Sequence, residues 1–233
     1  MKLAKRILTL GLAAAMTVAL AACDMGDNMK KDSQTYVQGL LDKYYKGQYN
    51  KDYLELIDLT EAEAEEQYLD WVDQEVDYFC YYFDVEYPTD EFRAEVSEFY
   101  KQVYAQSNYV VHEATKLESG NYAVEVTVQP MDIMLQITED DAAMIDEAAF
   151  ADAFGDLDEE GINAMDDDAY EEAYLAYDAA HGQGMLDALK SHLGEVGYGD
   201  EKSMIFQLAK DSDGYYSLVE GDIQNFDNYV IEY

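Results

Sequence analysis

Val37, Leu40, Leu41 and Tyr44 recur at i, i+3, i+4 and i+7, the spacing of one face of an α-helix, and predict an amphipathic helix over 33–47. Ser33 is placed to cap its start and Gly47 its end. A shorter helix is expected from Asn50 through Ile57. Thr60 and Glu63 form a capping box, and a long helix is expected from there to about Phe83. Its apolar stripe reads Leu69, Val72, Val76, Phe79, Cys80 and Phe83. Pro88-Thr89-Asp90 opens a further helix with Phe92, Val96, Phe99 and Val103 on one side.

The period then changes to two. Tyr109, Val111, Glu113 and Thr115 alternate against Val110 and His112. After the turn Glu118-Ser119-Gly120-Asn121, the residues Tyr122, Val124, Val126 and Val128 line one face, so a β-hairpin ends near Pro130. A second strand pair is expected near the C-terminus. There Met204, Phe206 and Leu208 alternate, Asp211-Ser212-Asp213-Gly214 turns, and Tyr215 to Glu220 returns. Helical stretches lie between, at about 138–153 and 164–193, the latter broken or bent around Gly182 and Gly184.

The order helices, hairpin, helices, hairpin defines an α+β fold. Two similar α-then-ββ halves would make an internal duplication. More simply, the hairpins join into one antiparallel sheet packed on the helices. No Pro-, Gly- or Ser-rich linker divides residues 34–233, so a single domain is expected there.

The first 22 residues are organised differently. Lys2, Lys5 and Arg6 precede an apolar run from Ile7 to Leu20, too short for an ordinary membrane span and the right length for a signal peptide. The run ends Leu20-Ala21-Ala22-Cys23. That ending resembles the lipobox of bacterial lipoproteins, which implies cleavage before Cys23 and attachment of a diacylglycerol to its thiol. Residues 1–22 are then the signal, 23–33 the lipidated cysteine and a polar tether, and the chain is expected outside the cytoplasm, anchored to the cell membrane. Linked acyl chains hold stably where one alone is marginal. With Cys23 acylated, Cys80 has no disulfide partner, and its place on an apolar stripe reads as packing.

Charge narrows the function. The chain has 51 acidic and 14 basic side chains, a net charge of −37. Nucleic acid is excluded as a partner, because little basic surface exists to displace counterions from phosphates. Hydrophobic residues make up 49%, so this is no disordered acidic tail.

Residues 117–189 hold 20 acidic residues and neither Lys nor Arg. Within them Asp156, Asp158 and Glu160 stand at positions 1, 3 and 5 of a calcium-loop spacing, with Gly161 at 6 and Asp167 at 12. The pattern departs from the motif where Asn163 replaces an apolar residue and Asp replaces the longer Glu at the last ligand. Weak Ca²⁺ binding and a solvated acidic face are both compatible with it. His112, His181 and His192 form no metal motif. No Gly-x-Ser-x-Gly, phosphate loop or dinucleotide fingerprint is present, so no catalytic residue is assigned. Tyrosines cluster at 44, 45, 49 and 53 and again at 78, 81, 82 and 87. They suit either the edge of a core or stacking against a sugar or a cation.

Tyr36-Val37-Gln38-Gly39 through Asp42, Tyr45-Lys46-Gly47, Tyr49 and the Thr60/Glu63 helix start resemble uncharacterised lipoproteins of Gram-positive bacteria. The turn Lys210-Asp211-Ser212-Asp213-Gly214-Tyr215 is similar to that of cystatin-like and nuclear-transport-factor-like cones. The resemblance implies a cone-like fold and supplies no catalytic residues. The expectation is a lipid-anchored, non-catalytic binding module of the cell envelope, offering an acidic, tyrosine-rich face to a cationic ligand, peptide, glycan or basic protein. A hydrolase or isomerase with an acid–base pair in a cone-like cavity, and a calcium-responsive lipoprotein, are the alternatives.

Overall fold

The computed structural model describes residues 27–210, 216–218 and 222–233. The signal segment, Cys23 and the turn at 211–214 lie outside them.

Four helices come first: α1 (Asp27–Lys46), α2 (Lys51–Ile57), α3 (Glu61–Tyr82) and α4 (Asp90–Tyr104). The expected capping box forms, and Asn50 and Thr89 supply two further caps. Asn50 accepts from the Asp52 N–H, Thr60 and Glu63 close a reciprocal capping box, and Thr89 accepts from Phe92. Gly47 ends α1 with φ +56°, a conformation glycine adopts without a Cβ clash. The start of α1 is a correction. Helix begins by Asp27, and Ser33 is an interior residue whose hydroxyl donates back to the Met29 carbonyl at 2.8 Å instead of capping. On α3, Leu69 is 44% exposed and Tyr68 takes the buried position.

The strands are β1 (Asn108–Val111), β2 (Thr115–Lys116), β3 (Tyr122–Gln129), β4 (Lys202–Lys210) and β5 (Tyr216–Leu218). They make one antiparallel sheet in the order β1-β3-β4-β5, with β2 also on β3. The two hairpins therefore meet through β3 and β4. Register puts apolar residues opposite one another on the inner face: Tyr109 with Val128, Val111 with Val126, Val124 with Phe206 and Tyr122 with Leu208. Val110 and Ile205 alternate to the outer face, each more than half exposed.

The helices between the hairpins are α5 (Glu139–Phe154), α6 (Glu159–Asn163) and α7 (Asp167–Ser191). A final helix, α8 (Asp222–Asp227), packs on β4. No break occurs at Gly182 and Gly184, and α7 is continuous helix through both. Both glycines are sites of close approach. A Cβ at Gly182 would meet Val85 Cγ2 at 2.9 Å, and one at Gly184 would meet Ile145 Cγ2 at 2.6 Å.

The core lies between the inner sheet face and α1–α4. Tyr45 sits at its centre, with ring centroids 5.2 Å from Tyr104, 5.9 Å from Phe226 and 6.4 Å from Tyr109. Phe206 meets Phe226 at 5.4 Å. These rings pack the interior between the sheet and the helices.

Candidate functional site

The structure separates the two early tyrosine groups. Tyr45 and Tyr53 are fully buried core residues. The Tyr45 hydroxyl donates to Asp227 Oδ1 at 3.3 Å, and burial raises its pKa well above the ordinary tyrosine range. Tyr44 packs on Trp71 with ring centroids 5.1 Å apart, and burial pushes its ionisation up to about 12. In the second group, Tyr78 and Tyr82 pack with Tyr233, while Tyr87 leaves the group and joins α7.

That last contact opens a larger assembly, in which α5 and α7 form a helical hairpin. Near its tip the hairpin buries little: Ala149 and Phe154 on α5, and Ala173 on the first half of α7. Its rings make a continuous ladder instead. Phe150 stacks on Phe154 at 4.8 Å, Phe154 meets Tyr170 at 6.1 Å, and Phe150 meets Tyr177 at 6.4 Å. Tyr170, Tyr174 and Tyr177 follow one another at 6.2 and 6.0 Å, and Tyr87 closes on Tyr174 at 6.3 Å. Tyr87, Phe150 and Tyr170 are 56%, 39% and 44% exposed. Three exposed rings joined through partly buried ones make this face the candidate site.

Carboxylates are interleaved with the rings. Tyr177 donates a short hydrogen bond to Asp146. The pKa of the Tyr174 hydroxyl is raised by desolvation first and by the nearby charge of Glu86 second. Burial and Asp146 together raise that of Tyr177. The chain around them carries no cation between Lys116 and Lys190.

The base of the hairpin is locked to the body. Asp178, 2% exposed, accepts the N–H groups of Glu86 at 2.8 Å and Tyr87 at 2.9 Å. One turn on, His181 Nε2 bonds the Phe83 carbonyl at 2.9 Å, and Gly182 admits Val85. Residues 178, 181 and 182 share one face of α7 and hold the segment that leads from α3 to α4. With Nε2 on a carbonyl, His181 is a structural residue. His112 is exposed beside Thr127, and His192 caps α7.

The calcium-loop residues are placed otherwise than their spacing implies. Asp156 follows the end of α5, Asp158 is the N-cap of α6 and accepts the Gly161 N–H at 2.8 Å, Glu160 lies within α6, and Asp167 opens α7. Gly161 is helical, so the sharp turn of the motif is absent. Among the described residues no group of three or more His, Cys, Asp or Glu side chains is arranged to hold a metal ion. Cys80 is 8% exposed, and burial raises its thiol pKa against the opposing pull of Arg93. An open cleft of about 630 Å³ lies at the end of β4, lined by Tyr198, Lys202 and Glu232 among others.

The signal that finds the ladder is present in the sequence. Tyr170, Tyr174, Tyr177 and His181 recur at i, i+4, i+7 and i+11, opposite Phe150 and Phe154. It was hidden by the density of acidic residues around it.

No protein-family model matches the chain, and no curated protein matches it by sequence. Its fold is similar to the crystal structure of a candidate lipoprotein, ycdA, from Bacillus subtilis, with TM-score 0.52 and 15% identity over 89% of this chain. This chain spans 58% of that protein's length. The two share an α+β architecture. Among the described residues no helix is long and apolar enough to cross a membrane.

Proposed function

We propose that this chain is a lipid-anchored binding module of the bacterial envelope, and that its α5–α7 face takes a basic partner. The carrying observation is the ladder of Tyr87, Phe150, Tyr170, Tyr174 and Tyr177, in which Tyr87, Phe150 and Tyr170 are exposed and carboxylates lie close by. Aromatic faces supply contact area at low entropic cost, and surrounding negative charge selects and steers cationic groups. The lipid anchor rests on the Leu20-Ala21-Ala22-Cys23 sequence, and the fold shared with ycdA is consistent with it. The ring-filled interior favours a surface role over chemistry in a cone cavity.

Two measurements test this reading. Cys23→Ala is expected to abolish acyl labelling and release the protein from the membrane fraction; a variant that stays bound and labelled overturns the anchor. A lysine-rich amphipathic peptide is expected to bind the full chain, and Phe150→Ala with Tyr170→Ala to weaken binding about tenfold, two exposed aromatic contacts at about 0.7 kcal/mol each. Equal affinity for the variant overturns the site.

A further inference from the structure

Tyr87 and Tyr174 stand at right angles, with an interplanar angle of 85° and ring centroids 6.3 Å apart. Tyr87 is 56% exposed, so the corner between the rings meets solvent. Tyr170, one helical turn earlier, stacks nearly parallel to Tyr174, at 17° and 6.2 Å between centroids. Glu86, the chain neighbour of Tyr87, brings its negative charge near the same corner, where it adds to the upward shift of the Tyr174 hydroxyl.

The corner is built in advance of any ligand. One wall, Tyr174, stands on α7. The other wall and the carboxylate belong to Glu86-Tyr87, whose two backbone N–H groups are held by Asp178 one turn further along the same helix. The buried Asp178 thus fixes one wall relative to the other, and Gly182 lets the connecting segment lie close against α7.

Two perpendicular π faces with one carboxylate form a cage for an organic cation. The number of acceptors selects the kind. A primary ammonium carries three N–H donors, and the corner brings it the charge of one carboxylate, Glu86, between two ring faces. A quaternary nitrogen has no donor to satisfy. Its methyl groups, which carry the positive charge, can lie directly on the rings. We propose that Tyr87, Tyr174 and Glu86 form a binding site for a quaternary ammonium group, as in choline or a choline-headed lipid. The inference rests on the reading of the α5–α7 face as a cation-binding surface and assigns one subsite within it.

The test uses the full chain in a detergent without a choline headgroup. Choline is titrated and its methyl proton shift followed, since stacking on aromatic rings moves that resonance upfield. Saturable binding at millimolar choline is expected. The neutral isostere 3,3-dimethylbutan-1-ol should bind at least about fivefold more weakly, the worth of one cation–π contact. Tyr87→Ala should weaken choline by a similar factor, Tyr87→Phe should leave it within about twofold, and Glu86→Gln should weaken it. Thermal unfolding of each variant shows that the fold is kept, as the exposure of Tyr87 leads one to expect. Binding to choline-headed vesicles without binding to free choline assigns the group to a lipid. Equal affinity for the neutral isostere, or unchanged affinity in Tyr87→Ala, overturns the inference, as does the absence of any saturable choline binding in solution and on vesicles. If the lysine-rich peptide still binds in that case, the broader reading stands and only this subsite fails; if neither binds, both fail.

Discussion

Lys43 is fully buried, donates to Gln67 Oε1 at 2.6 Å and lies 4.1 Å from the centroid of the Tyr44 ring. Burial lowers its pKa to about 8. The native state therefore holds fewer protons than the unfolded state between that value and the ordinary lysine value of about 10.4, and stability rises with pH across this window. Below it the full cost of the buried charge is present, on the order of 3 kcal/mol. Lys43→Met is expected to be more stable than the natural chain at pH 7, by about 2 kcal/mol once the lost bond to Gln67 is subtracted. Its advantage should shrink between pH 8 and 10, as denaturant titrations at each pH will show. Above pH 10 the opposite trend begins. Tyr44, Tyr49 and Tyr78 stay protonated to about 12 in the native state, so the stability they contribute is intact below pH 10 and is lost above it.

Helix placement was largely legible from capping chemistry and apolar spacing, since Thr60 with Glu63, Thr89 and Gly47 act locally. Glycines inside helices misled. Gly182 and Gly184 read as breakers, yet α7 keeps its helix because each lies under a side chain from another element, and spacing within one helix carries no record of that neighbour. Gly39 shows the same packing more sharply. It faces Tyr53 of α2, where an added Cβ would lie 2.1 Å from the ring's Cγ. Tyr53 is fully buried and packs edge to face with Tyr36 at 6.2 Å, so it has little room to move. Gly39→Ala is expected to destabilise by about 3 kcal/mol despite the better helix propensity of alanine, because overpacking outweighs it. A lower urea midpoint with an unchanged slope will show this; an unchanged or higher midpoint would refute the contact.

For the whole molecule, the period-two segments identified one sheet, and β3 against β4 joins the two hairpins as the simpler arrangement required. The aromatic ladder was far less legible. Its contacts span 31 residues from Asp146 to Tyr177 and 87 from Tyr87 to Tyr174, distances at which no local pattern operates. A net charge of −37 on one fold repels itself. Raising NaCl from about 20 to about 500 mM is expected to raise the melting temperature by several degrees, because the Debye length shrinks to a few ångströms. Over the same range the lysine-rich peptide should bind more weakly. A melting temperature that falls with salt would mean that ion pairs such as Lys190–Glu95 and Arg93–Asp73 outweigh the repulsion.

The early onset of α1 sets a length scale. A flexible tether through residue 33 would let the domain roam about 35 Å from its anchor, at 3.5 Å per residue. Helix from Asp27 leaves only four residue steps between Cys23 and a rigid rod, about 14 Å at full stretch. On the proposed reading that Cys23 is acylated, the protein is a short-leashed object whose reach into the envelope is fixed by its own dimensions, and the proposed partner must come to the membrane surface to meet it.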